Sequence, residues 1–179
     1  MQKRLSLSVR LLAFLAVLVL LGLTWLYTRE FPVFSNTIGV RRLVLGAFLV
    51  GALAGSSLLY ILRHRFTPWE NHIPEAGTIL AFSILFAPLA GSLLNRAGGE
   101  QQLQSFEFVS EQPYISSNYG LLKGEKIKPT GYHLYVREGA RLLRFQYKSQ
   151  AYYPITRPGE PVLLPVHKGL LGFRIMELK

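Results

Sequence analysis

The sequence predicts an integral membrane protein with three transmembrane helices followed by a small all-β domain, either an SH3/OB-like barrel or a curled antiparallel sheet. Three observations point there. Half of the 179 residues are hydrophobic, and most of these gather in three uncharged runs within the first hundred positions. A Gly- and Gln-rich break, "NRAGGEQQ", ends that region. Beyond it the chain alternates polar and apolar residues between turn signals. The expected division is residues 1–98 for the membrane domain and 99–179 for the β-rich domain.

The three runs cover residues 11–27, 43–62 and 78–95. A helix rises 1.5 Å per residue, so about 17–25 uncharged residues cross a ~30 Å hydrocarbon layer. All three reach that window, and none carries the polar stripe of a soluble buried helix. Lys3, Arg4 and Arg10 precede the first run like the basic start of a signal peptide. Its apolar core is long, however, and "LTWLYTREF" offers no small-x-small cleavage site, so a retained anchor is expected.

Membrane helices associate where small residues let backbones approach. The second run places Ala47, Gly51 and Gly55 at four-residue spacing, and the third places Ser83, Ala87 and Gly91 likewise. Two such faces joined by a short loop suggest a tight antiparallel hairpin, with self-association or docking to a partner as the alternative use. Pro88 sits inside the third run, where a missing N–H frees a carbonyl. The Leu-rich first run reads as a lipid-facing anchor. No ionisable side chain lies inside any predicted span, which argues against a pump or transporter. The connector 28–42, with its ten-residue "FPVFSNTIGV", is too short to span and is expected to lie in the interface.

"LRHRFTPWENHIPEAG", residues 62–77, is the segment densest in functional groups. His64, Glu70, His72 and Glu75 are the right residue types for a metal site or for acid/base work. Their spacing matches no metal motif. An interfacial turn accounts for more of the letters: Arg63 and Arg65 at a helix end, Trp69 at headgroup depth, Pro68 and Pro74 shaping the bend, and Glu75 at the start of a helix.

In the last eighty residues, "QSFEFVS", "GYHLYVRE", "RLLRFQYKS", "AYYPI", "PVLLPVH" and "FRIMEL" read as five to six strands. Gly139-Ala140 marks a hairpin, residues 157–160 and "KGLLG" mark turns, and Pro161 and Pro165 suggest an edge or bend. The order of a few membrane helices and a strand-rich tail ending in a Gly-Leu-Leu-Gly hairpin resembles a broad bacterial architecture, and implies no functional residues.

Tyr114, Tyr119, Tyr132, Tyr135, Tyr147, Tyr152 and Tyr153 interleave with Arg137, Arg141, Arg144, Lys148 and Arg157 in this domain. Such a set can stack bases and hold phosphates, and Tyr135, Arg137, Arg144 and Tyr147 form the candidate ligand face. Alternation favours a plainer account, with Tyr132 and Leu134 facing one way and His133 and Tyr135 the other. His133 and His167 stand singly in strands. Without any Asp a Ser-His-Asp triad is impossible, and no Walker loop, dinucleotide fingerprint or HExxH is present.

The formal charge of +10 fits contact with anionic headgroups better than with nucleic acid. The absence of Cys excludes disulfides and thiolate metal sites. Positive charges set topology. With the N-terminus inside, Lys3, Arg4, Arg10, Arg63 and Arg65 lie inside against Arg29, Arg41, Arg42 and Arg96 outside, so the β domain is expected outside a bacterial inner membrane. The expected function is that of a non-enzymatic accessory subunit or oligomeric scaffold whose β domain makes protein contacts. It would need no cofactor, and its partners would be the bilayer and a protein or a second copy. The alternatives are a sensor whose β domain binds a small anionic or nucleotide ligand, and a lipid-modifying enzyme using the 62–77 loop.

Overall fold

The computed structural model describes residues 7–115, 129–148 and 150–178, so Lys3, Arg4 and Tyr119 lie outside the described residues. Three long helices come first: α1 (Leu7–Ser35), α2 (Val40–Ile61) and α3 (Ile73–Arg96). Each contains a segment long and apolar enough to cross a membrane. Two short 3-10 turns, Arg63–Arg65 and Trp69–His72, link α2 to α3. Six strands complete the fold: β1 (Thr37–Ile38), β2 (Gly99–Tyr114), β3 (Gly131–Glu138), β4 (Arg141–Tyr147), β5 (Pro161–Gly169) and β6 (Arg174–Met176).

The strands form one antiparallel sheet in the order β1-β6-β5-β2-β3-β4, curled into a nearly closed barrel. Its first strand is not part of the C-terminal region. β1 lies in the connector between α1 and α2 and pairs Thr37 with Ile175 and Ile38 with Arg174. Gly39 follows at φ +79°, a left-handed conformation that lets the chain leave the strand and enter α2 at once.

The connector therefore differs from the sequence expectation. Residues 28–35 continue α1 as a helix, beyond the expected end of the first run at residue 27. The spacing of Tyr27, Phe31 and Phe34 explains this: their rings cluster on one helix face, and Tyr27 also meets Phe86 of α3 at 6.4 Å. α3 likewise begins at Ile73, ahead of the expected 78, with Pro74 and Glu75 in a first turn that suits both residues.

In β3 and β4 the expected alternation holds. Leu134, Val136, Phe145 and Tyr147 are buried with Phe106, Phe108, Leu164 and Met176 in one apolar core. His133, Tyr135 and Arg144 point the other way by register. "AYYPI" is a correction, because it forms no strand. The carboxylate of Glu111 accepts the backbone N–H groups of Tyr152 (2.9 Å) and Tyr153 (3.1 Å) and the Tyr147 hydroxyl, so a side chain supplies the partners a ladder would have given.

Candidate functional site

The α2–α3 seam is built from glycine. A methyl group at Gly51 would collide with the Ser83 carbonyl and lie 2.6 Å from Ala87 Cβ. One at Gly55 would lie 2.9 Å from Ser83 Cβ, and one at Gly91 would lie 3.4 Å from Ala47 Cβ. The structure thus brings Ala47, Gly51, Gly55, Ser83, Ala87 and Gly91 together within a single chain, at the close approach that small residues permit.

Alongside the seam runs a groove of about 750 Å³. Gly46, Val50 and Ala54 of α2 form one wall, and Phe82, Phe86, Ala90 and Leu94 of α3 form the other. Leu171 and Phe173, from the turn between β5 and β6, line its barrel end together with Arg42. Unlike the seam glycines, Gly46 has open space where a side chain would start.

Where the helices meet the barrel, the buried side chains of Asn36, Asn95 and Glu30 all have partners. Asn36 follows α1 just before the edge strand β1, and bridges β6 to the opposite edge strand, β4. Its Nδ2 donates to the Gln146 carbonyl and its Oδ1 accepts the Gln146 N–H, both at 2.8 Å, while its own carbonyl accepts the Met176 N–H at 2.8 Å. Asn95, in the last turn of α3, is 1% exposed. Its Nδ2 donates to the Phe173 carbonyl (3.1 Å), its Oδ1 accepts the Leu171 N–H (3.1 Å) and its backbone carbonyl accepts the Leu170 N–H (2.8 Å). Gly169 packs so tightly on this carboxamide that a Cβ there would overlap it. The Gly-Leu-Leu-Gly turn is thereby stapled to the end of α3.

Glu30 is the second correction at this end. The sequence reading placed it in a loop and found no ionisable group inside a span, whereas it sits in α1 and is 2% exposed. Its carboxylate accepts a hydrogen bond from Ser92 Oγ at 2.9 Å and pairs with Arg96 at 3.2 Å. Arg96 remains half exposed, so the pair joins a buried anion to a cation still in reach of water. Such an arrangement satisfies the carboxylate where an unpaired one would be costly.

Residues 62–77 present a different picture. His64, Arg65 and Glu70 are exposed, and His72 meets Glu75 at 3.9 Å, three residues on. Arg63 lies over the Tyr60 ring at 4.6 Å, and Phe66 packs against Trp69 and His72. Among the described residues no three His, Asp or Glu side chains converge as a metal site would require.

The structure separates the candidate ligand face of the barrel. Tyr135 and Arg144 oppose each other across β3 and β4 on the outer surface. Arg137 is engaged by Glu107 at 3.1 Å, and Tyr147 points into the core. His133 stacks on Tyr114 at 4.6 Å, and burial, with the nearby positive charge of Arg144, lowers its pKa. His167 Nε2 lies 3.3 Å from the Gly98 carbonyl. On the core face, Arg174 makes a bidentate pair with Glu138 (2.6 and 2.9 Å), and Gln104 bonds to both. The hydrogen bond from Arg174 holds the Glu138 carboxyl below its usual range.

Asn36, Asn95, Glu30, Arg96 and Glu111 were not singled out from sequence. One signal was available for the two asparagines: each stands at the barrel-side end of an apolar helix, where a carboxamide can serve backbone groups left over by helix and strand. No family model, curated protein or solved structure matches this chain.

Proposed function

We propose that the protein is a non-enzymatic scaffold or accessory subunit of the membrane, whose barrel is a platform for protein contacts held rigidly by the helices. The observation that supports this reading is the supply of β1, and of the Asn36 bridge, by the connector of α1 and α2. A barrel completed by the membrane segment cannot reorient without breaking its own sheet, which suits a docking platform. Its outer surface offers adjacent apolar positions for a partner. Leu103 is 70% exposed and Leu163 62%, and they belong to the Leu103–Pro165 and Ser105–Leu163 pairs of β2 and β5, two register positions apart.

The excess of positive charges on the N-terminal side, five against the four of Arg29, Arg41, Arg42 and Arg96, supports a barrel outside the inner membrane of a bacterium. Labelling of Ile155→Cys, at a position 90% exposed in a chain free of cysteine, reads that side directly.

The test is the particle mass in mild detergent after extraction from native membranes. A stable complex well above the 20.2 kDa monomer, reduced by Leu103→Lys with Leu163→Lys, is the expected result. A monomer with no associated protein overturns the reading.

A further inference from the structure

We propose that the groove between α2 and α3 is a binding site for one anionic phospholipid, with an acyl chain against the helices and its phosphate at Arg42. The walls are apolar over the length from Arg42 to Ala54, about 18 Å at helical rise. Among the described residues, the one cation that lines the groove, Arg42, is at its barrel end. That end is also where the polar flanks of α1, α2 and α3 gather, so it lies at headgroup depth. Arg41 stands next to Arg42, and among the described residues neither has an ion pair or a side-chain hydrogen bond.

These features select among occupants. A groove of about 750 Å³ within a bilayer fills with something, because empty space forfeits dispersion contacts. A partner helix long enough to cross about 30 Å would run beyond the groove's ~18 Å of apolar wall, past Leu171 and Phe173 at its barrel end. An apolar helix would also leave the guanidinium groups without an anion. A phospholipid avoids both problems: its tail matches the apolar length, and its phosphate stops at the barrel end, beside Arg42. Basic pockets between membrane helices select anionic headgroups in this way.

Gly46 makes the proposal testable without disturbing the seam. Apart from its chain neighbours and the backbone of its own helix, nothing lies within 4 Å of where its side chain would begin, so Gly46→Leu fills the groove, and Leu also favours the helix. Ala54→Phe fills the other end from a second exposed position. The experiment is native mass spectrometry of the full chain in mild detergent with added phosphatidylglycerol or phosphatidylcholine. The native chain is expected to retain one phosphatidylglycerol with a roughly five- to tenfold preference over phosphatidylcholine. Arg42→Gln should remove the preference while some binding of both lipids remains. Gly46→Leu and Ala54→Phe should each lower retention of both. Equal retention of the two lipids by the native chain overturns the proposal, as does unchanged retention in both groove-filling variants. A dimer that becomes a monomer in those variants also overturns it, by assigning the groove to a second copy.

Discussion

The two ends of the α2–α3 hairpin contrast sharply. The loop end, residues 62–77, concentrates histidines, glutamates, arginines and a tryptophan, yet His64, Arg65 and Glu70 are exposed and the closest pairing joins residues three apart. The barrel end has fewer functional groups, but Asn36, Asn95 and Glu30 are all buried and all joined to elements distant in sequence. Asn36 reaches a partner 110 positions away and Asn95 one 78 away. Density of reactive residue types is a property of composition. A polar group withdrawn from water must be met by partners, and so marks where the fold is committed.

Substitutions should break this comparison at one end only. The largest effect is expected for Asn95→Leu, which removes two hydrogen bonds at once: the Leu171 N–H loses its acceptor, and the Phe173 carbonyl keeps only the Gly169 N–H. A loss of about 2–3 kcal/mol, read as a lower denaturation midpoint in detergent, follows from two bonds at about 1–1.5 kcal/mol each. Glu30→Gln keeps an acceptor for Ser92 and removes the charge opposite Arg96. Because Arg96 is half exposed and can return to water, about 1–2 kcal/mol is expected from the same measurement.

Acidification tests the barrel more gently. His133 has a lowered pKa, so the unfolded chain takes up its proton first, and stability should decline as pH falls from about 6.5 towards the lower folded value. Glu138 is also lowered, so its contribution is present above about 4.5 and is lost as pH falls through its folded value. Denaturation midpoints against pH should show both declines, His133→Gln flattening the first and Glu138→Gln the second. At the loop end, His64→Ala and His72→Ala should each change stability by less than about 0.5 kcal/mol. A large loss there would erase the contrast.

What the sequence revealed, and what it concealed, follows from the range of the forces involved. A hydrocarbon layer imposes length and freedom from charge on each crossing, so three helices were legible within a few residues at most of their ends. The two-residue period of a half-buried strand likewise separated Leu134 and Val136 from His133 and Tyr135. The small-residue spacing of the seam was legible because close backbone approach requires it. β1 was not, since two residues carry no period. The extension of α1 to Ser35 was missed because Arg29 and Glu30 interrupt the apolar run, and Glu30 becomes acceptable in a helix only through Ser92 and Arg96 on another one. The loss of the "AYYPI" strand depends on Glu111, some forty positions earlier.

The central claim is that barrel and helices form one body, closed by the connector. Hydrogen exchange of the full chain in detergent measures it at two amides, Gln146 and Met176, whose N–H groups are held by Asn36. Both should exchange as slowly as the amides of the β2–β5 ladder, opening only when the whole barrel opens. Fast exchange at Gln146 and Met176 beside a protected β2–β5 ladder would contradict the account, because it would mean that the sheet keeps its core without the membrane segment.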